Sequence, residues 1–309
     1  MTTTVTDGAI PVIVGPTAAG KTGVALELAK RDRVTILSAD SRQVYRGFDI
    51  GTAKPSPDER RAVPHRGIDV ADPVERYSAS RWAESADAWI AEARESGRTP
   101  LVVGGTGFYV RALFTPLFEE PALHAPRRRA LEPVLGAMPL DELQRWCRAL
   151  DPARAHLGRT QLLRAIEVAL LAGVPLSRLH AERARAPRHR ARYLVVDPGP
   201  ALAGRIAHRV RAMFAAGWIA EVKRLIATVP DDAPAWNASG YGAVRRHVEG
   251  TSSVEEAMAE VVIATRQYAK RQRTWLRHQL AREDVTRVDP LAPGAAAIVD
   301  AWWRGEGSA

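Results

Sequence analysis

Through the first hundred residues, short uninterrupted apolar runs alternate with segments whose apolar positions recur every three or four residues. Ile10-Pro-Val-Ile-Val14, Val34-Thr-Ile-Leu37 and Leu101-Val-Val103 lack the in–out alternation of a half-exposed strand, so they read as strands covered on both faces. Helix-like segments run between them, from Lys21 to Lys30 and from about Arg81 to Glu95. Strands of this kind separated by helices predict a parallel sheet flanked by helices. After Phe114-Thr-Pro116 the pattern becomes helical and is punctuated by Pro121, Pro126, Pro152, Pro175 and Pro187. Tyr193-Leu-Val-Val-Asp197 then restores the strand pattern, and helical periodicity returns at 201–216, 218–227, 254 to about 280 and 295–303. The chain therefore reads as an α/β core in two parts, residues 8–115 and 192–305, interrupted by a helical insertion at 116–191. Gly305 to Ala309 reads as a frayed tail.

The first strand runs directly into Gly15-Pro16-Thr17-Ala18-Ala19-Gly20-Lys21-Thr22, a complete G-x-x-x-x-G-K-[ST] loop that opens the first helix. A glycine-rich turn between a strand and a helix leaves several backbone N–H groups aimed at one point, where a diphosphate can accept them. Lys21 then neutralises the outer phosphates and Thr22 offers its hydroxyl to Mg²⁺. The fold class is thus a P-loop NTPase-like parallel sheet with a helical insertion and a helical C-terminal region. Ligands of such sheets bind beyond the carboxyl ends of the strands, so the loops at 15–20, 38–43 and 104–107 are expected to converge on one site.

Composition narrows the class little: 46% hydrophobic and 26% charged residues are ordinary for a globular protein. The single cysteine, Cys147, excludes an intramolecular disulfide and any cysteine-rich zinc module, and reads as a core residue. No apolar run is long enough for a membrane span and Met1 to Asp7 has no signal-peptide character, so a cytoplasmic enzyme with no membrane association is expected. Nothing resembles a coiled-coil seam, and a monomer without an obligate protein partner is the expectation. Charge is more telling. The net value is +9, and the stretch from Pro121 to Tyr193, with 14 Arg and 6 Asp or Glu, carries +8 of it. Such concentration fits a polyanion larger than a mononucleotide, although a solvated arginine-rich face would give the same count.

Four further constellations carry candidate chemistry. In Ser38-Ala-Asp40-Ser41-Arg42-Gln43 an aspartate follows the second strand, where it can serve as a magnesium ligand, a helix cap or a general base. Its neighbours offer donors and acceptors suited to a base edge. Gly104-Gly-Thr106-Gly permits close backbone approach and adds one hydroxyl. Arg205 and Arg209 share a helix face at i and i+4, able to clamp diphosphate oxygens or to pair with surface acids, and spacing slightly favours the surface. Arg266, Lys270, Arg273 and Arg277 form a basic stripe with no acid inside the run, which favours phosphate contact; Trp275 beside it reads as a core anchor.

Taken in order, Gly15 to Thr22, Ser38 to Tyr45, Asp49-Ile-Gly-Thr-Ala-Lys-Pro55, Pro64-His65, Gly104-Gly-Thr106, Arg164-Ala-Ile-Glu-Val168 and Ala264 to Arg277 resemble the bacterial-type tRNA dimethylallyltransferases. The resemblance covers residues near 10 to 285. It implies transfer of a dimethylallyl group from dimethylallyl diphosphate to the N6 amine of the adenosine just 3′ of the anticodon, position 37, in tRNAs reading codons that begin with U. By similarity, Asp40 is the general base, Arg209 supports the departing diphosphate, and Thr106 contacts both the target nucleotide and the reacting centre. Residues 15–22 hold the diphosphate, with Mg²⁺ on Thr22. The resemblance further implies that Asp40, Ser41, Arg42, Gln43 and Thr106 read the target base. Arg129, Gln161, Leu162, Leu163, Arg164 and Ala165, with Lys270, Arg271, Gln272, Arg273, Thr274, Trp275, Leu276 and Arg277, hold the anticodon stem-loop. Two departures bear on RNA contacts: Leu157-Gly-Arg-Thr160 stands where the family often has Asn-Asp, and Gly240-Tyr241-Gly242 where it often has Gly-Tyr followed by a base. An adenylate isopentenyltransferase, a P-loop kinase of small molecules and a nucleotide-gated RNA-binding protein are the competing readings.

Overall fold

The uniformly apolar runs become strands buried along their length: every residue of β1 (Ile10–Val14) and β2 (Val34–Ala39) is buried in the computed structural model. It describes residues 8–115, 123–182, 189–280 and 285–306, so the predicted tail beyond Glu306 and residues 116–122 and 183–188 of the predicted insertion lie outside the described residues. Four more strands, β3 (His65–Arg66), β4 (Thr99–Gly104), β5 (Ala191–Val196) and β6 (Val285–Val288), complete a parallel sheet in the order β3-β2-β4-β1-β5-β6. The sheet resumes at Ala191, which sequence reading assigned to the insertion, because Ala191 pairs with Ile10. β3 gave no periodic signal: it is two residues long and is held by the pairing of His65 with Ile36.

Helices cover both faces. The helix Lys21–Arg31 buries Ala25 and Leu28, and the helix Ala79–Glu95 buries Trp82, Ala86 and Ile90. The C-terminal helix Ala295–Arg304 inserts Val299, Trp302 and Trp303 into the cluster that contains Ile13, Leu28, Leu101 and Leu194. Its anchor is polar as well, since Trp303 Nε1 donates to Asp32 at 2.8 Å.

The chain divides into two compact units, residues 1–114 with 188–309, and residues 115–187. The smaller unit contains helices at Ala125–Ala137, Leu140–Leu150, Arg159–Ala172 and Leu176–Glu182. Leu135, Leu143, Cys147, Leu162, Ala165 and Ile166 form its core, so Cys147 is the buried residue expected of it. Much of this unit's arginine charge is already engaged. Arg128 and Arg164 both meet Glu167, Arg178 meets Glu182, and Arg159 donates to the carbonyls of Gly136 and Met138 at 2.6 Å each. These pairings leave the net value of +8 unchanged, since it already subtracts the acids, and Arg127, Arg129, Arg145 and Arg148 are exposed.

Candidate active site

Three loops leave the adjacent strands β2, β4 and β1, and hydrogen bonds tie them together. Thr106 N donates to Ala39 O at 3.1 Å, and Thr106 Oγ1 accepts from Ser41 N at 3.0 Å. Gln272, reaching in from the long helix Val254–Gln279, accepts from Thr17 N and donates to Gly105 O, both at 2.8 Å. The backbones approach so closely that a Cβ on Gly104 would overlap the carbonyl of Ala39, which explains a glycine at that strand end. Ala18, inside the phosphate loop, holds a left-handed φ of 64°, a conformation that costs a non-glycine residue energy and is typical of ligand clamps.

The phosphate loop carries concentrated positive potential. First-turn amides of the helix Lys21–Arg31 have no intrahelical acceptor, and Gly20 supplies the left-handed N-cap at φ 105°. Lys21 Nζ donates to Gly15 O at 3.0 Å and Pro16 O at 2.9 Å. Burial, then the charge of Arg209, pull its pKa down to about 8 against the opposing pull of Asp40. Arg205 Nε donates to Ala18 O at 2.8 Å, and Arg209 Nη1 reaches Thr17 Oγ1 at 3.5 Å. The surface reading of this arginine pair is thereby corrected: spacing places both on one face of the helix Leu202–Ala215, and packing turns that face onto the loop. Burial pushes the Arg209 guanidinium below its ordinary pKa, with Asp40 resisting. Cations held together at a cost in solvation await an anion.

Three clefts meet at this point. The central one, of about 630 Å³, is lined by Lys21, Thr22, Asp40, Gly105, Arg209 and Tyr268 among others. A wider one of about 1100 Å³ shares Lys21, Thr22 and Arg209 with it and continues past Ala18, Gly20 and Arg205. The third, of about 590 Å³, contains Asp40, Arg42, Met213, Trp218, Val261 and Tyr268. Among the described residues, Asp40 is the only acidic one lining the central and third clefts. Its Oδ1 accepts from Arg42 N at 2.9 Å, so the carboxylate caps a turn rather than a helix, and no described hydrogen bond uses Oδ2.

The rim is built from the Asp49–Pro55 motif. Buried Glu221 accepts from the amides of Asp49 (3.2 Å) and Ile50 (2.8 Å) and from the hydroxyl of Tyr241 (2.6 Å). Burial and that carboxylate raise the Tyr241 pKa, which keeps the phenol a donor. Lys54 turns inward to Tyr45 O, Asp49 and Asp69. Gln43 bonds Ser38, Thr52 and Ala53.

These contacts redistribute the sequence-derived site residues. Residues 15–22, Asp40, Thr106 and Arg209 come together. Arg129, Gln161, Lys270, Arg271, Thr274 and Arg277 are exposed, while Leu163, Arg164 and Trp275 are partly so. Others are not available as side-chain contacts for RNA. Leu162 and Ala165 are core residues and Leu276 is buried, whereas Gln43 and Gln272 hold hydrogen bonds within the fold and also line the central cleft. Arg273 leaves the proposed basic stripe, because it binds Asp197 at 2.8 and 2.5 Å and Gly199 O at 2.7 Å. Tyr268 and Arg205 border the clefts without having been selected as site residues. Arg205 was within reach of sequence reasoning through its pairing with Arg209; Tyr268 lay inside a recognised motif but was given no role of its own.

No group of three His, Cys, Asp or Glu side chains able to hold a metal occurs among the described residues. Thr22, on the cleft wall, offers a hydroxyl that could serve a cation beside a bound diphosphate. That hard oxygen donor set suits Mg²⁺.

The chain matches the family described as IPP transferase over residues 43–279, and that described as isopentenyl transferase over residues 8–66. It is 42% identical to a tRNA dimethylallyltransferase of Anaeromyxobacter dehalogenans over 93% of this chain and 97% of the relative. With the tRNA dimethylallyltransferase of Halorhodospira halophila it shares 44% identity, over 90% of this chain and 93% of that one. Among solved structures, a eukaryotic dimethylallyltransferase acting on tRNA superposes with a TM-score of 0.80 at 25% identity, covering 96% of this chain and 78% of that one. The tRNA delta(2)-isopentenylpyrophosphate transferase of Staphylococcus epidermidis superposes at 0.65 with 29% identity, over 94% and 96% of the two chains. With a family match across most of the chain, and relatives above 40% identity along nearly the whole of both lengths, this chain belongs to the IPP transferase family.

Proposed function

We propose that this chain transfers a dimethylallyl group from dimethylallyl diphosphate to N6 of the adenosine 3′-adjacent to the anticodon, position 37, in tRNAs reading codons that begin with U. The observation that carries the reading is the pairing, in one cleft, of a cationic phosphate cradle (Lys21, Arg209 and the glycine loop) with a single carboxylate, Asp40. Leaving diphosphate needs the first; deprotonation of the incoming amine needs the second. The names of the relatives agree with the reaction.

The adenine amine is a weak nucleophile because its lone pair is delocalised into the ring. As that pair forms the N6–C1 bond, Asp40 accepts the departing proton and the C1–O bonding pair leaves with diphosphate. The loop amides, Lys21 and Arg209 stabilise the charge on the leaving group in place, without reorganisation. Mg²⁺ on Thr22, when bound, adds Lewis-acid stabilisation of the phosphate oxygens. Thr106, fixed by Ser41 N, bridges the loop carrying Asp40 to the third strand end. An adenosine must leave its stack to reach the site, which costs a few kcal/mol in a duplex and less in an anticodon loop. Exposed Lys270, Arg271 and Arg277 supply the phosphate contacts that hold the loop.

The deciding experiment supplies labelled dimethylallyl diphosphate and Mg²⁺ with either tRNA or AMP. Label in tRNA adenosine is the expected result. Label on AMP alone would make the protein a free-nucleotide transferase, and label on neither would remove prenyl transfer.

A further inference from the structure

Four residues line both the central and the third cleft: Thr17 of the phosphate loop, the Asp40 carboxylate, the Arg209 guanidinium and Tyr268. Under the transfer reaction proposed above, on which this inference rests, the allylic carbon lies at that junction. Its leaving oxygen belongs to the phosphate loop and its incoming nitrogen to Asp40. Positive charge develops on the allyl fragment when C1–O cleavage runs ahead of N6–C1 bonding. Arg209 repels such charge, and Asp40 is engaged with the amine proton. Among the described residues, Tyr268 is the one aromatic ring that lines both clefts.

The ring is held rigidly. It projects from the long helix between Thr265, which lines the third cleft, and Gln272, which is locked onto both Thr17 and Gly105. Burial with the nearby Asp40 charge pushes its pKa up to about 12, so the phenol stays neutral. The exposed Arg271 guanidinium lies over the ring, 5.8 Å from its centroid, and the tyrosine lines both clefts. We propose that the π face of Tyr268 stabilises the developing dimethylallyl cation, making Tyr268 a catalytic residue of the transfer. The tyrosine itself undergoes no covalent change. The C1–O pair departs with diphosphate, the N6 pair makes the new bond, and the proton goes to Asp40.

A desolvated cation–π contact of this kind corresponds to about 10- to 30-fold in rate. The test compares Tyr268→Phe, Tyr268→Leu and phenylalanines carrying one to three ring fluorines at this position. Single-turnover transfer is measured at saturating donor and anticodon stem-loop RNA. Binding of the unreactive dimethylallyl thiolodiphosphate and of RNA is measured separately. Tyr268→Phe is expected to stay close to the unsubstituted protein, each added fluorine to slow the chemical step as the ring quadrupole weakens, and Tyr268→Leu to lose the full factor with both affinities unchanged. Because the fluorinated rings keep their shape, a merely structural role leaves that series flat. A flat series overturns the inference, as does a loss confined to RNA affinity, which would make the ring a platform for the base. Absence of transfer by the unsubstituted protein refutes the reaction itself, so the two failures are told apart.

Discussion

Lys21 makes the charge economy of the site measurable through pH. In the free protein its pKa lies at about 8, lowered from 10.5 first by burial and then by Arg209, with Asp40 opposing. A bound diphosphate places negative charge beside Nζ and restores the protonated form. Binding is then flat below the free-state pKa, where Lys21 already carries its proton. Above it, each complex formed takes up a proton, and affinity falls tenfold per pH unit. At a pH of about 9.5 the deficit is about 30-fold, or about 2 kcal/mol. Asp40→Asn removes the influence that raises this pKa, so the break moves to lower pH; Arg209→Met removes one that lowers it, so the break moves up. Isothermal titration with dimethylallyl thiolodiphosphate isolates the effect, since a phosphate ester with a second pKa of about 6 is fully ionised throughout the range. Repeating the titration in two buffers of different ionisation enthalpy counts the protons, expected to rise from near none at about pH 7 towards one at about pH 9.5. Constant affinity across that range, with no buffer dependence, would refute the argument.

Asp40→Ala is expected to lower single-turnover transfer by about 10² or more while leaving affinity for the donor analogue and RNA near normal, as measured by rapid quench and filter binding. Near-normal turnover would return Asp40 to capping the turn at Arg42. Arg271→Glu and Arg273→Glu, neighbours in sequence, should behave differently. The first weakens RNA binding and lowers its salt slope by about one, with unfolding unchanged. The second breaks the partly exposed pair with Asp197 and costs about 1–2 kcal/mol in urea unfolding; equal stability of the two variants would contradict this distinction. Gln272→Leu leaves Thr17 N and Gly105 O without their partner, a loss of about 2 kcal/mol of stability together with weaker binding of the donor analogue. Unaltered donor affinity would show that the bridge does not position the loop.

Features set by neighbouring residues were legible. Uniform apolar runs marked β1, β2 and β4, the 15–22 motif marked the phosphate loop, and the spacing of 205 and 209 marked a shared face. Less legible were elements whose stability comes from a partner. The edge strand at His65–Arg66 exists through its pairing with β2, and β6 is a four-residue run with one buried side chain, recruited by β5. The basic stripe illustrates the same difficulty among side chains. Its periodicity is real, yet nothing within 264–278 indicates that Arg273 meets Asp197, 76 positions away.

By itself, then, the amino-acid sequence determined the central strands and the long helices, the place of the phosphate-loop motif, and the family to which the motifs point. Backbone sterics, hydrophobic periodicity and capping act over a few residues, and their signals survive in one dimension. Tertiary structure alone decided that Arg205 and Arg209 turn onto the phosphate loop, that Gln272 ties two loops together, and that Tyr268 borders a cleft with Asp40. Electrostatic and hydrogen-bond energies depend on separations of a few ångströms and on loss of water, and packing sets both for residues far apart in the chain.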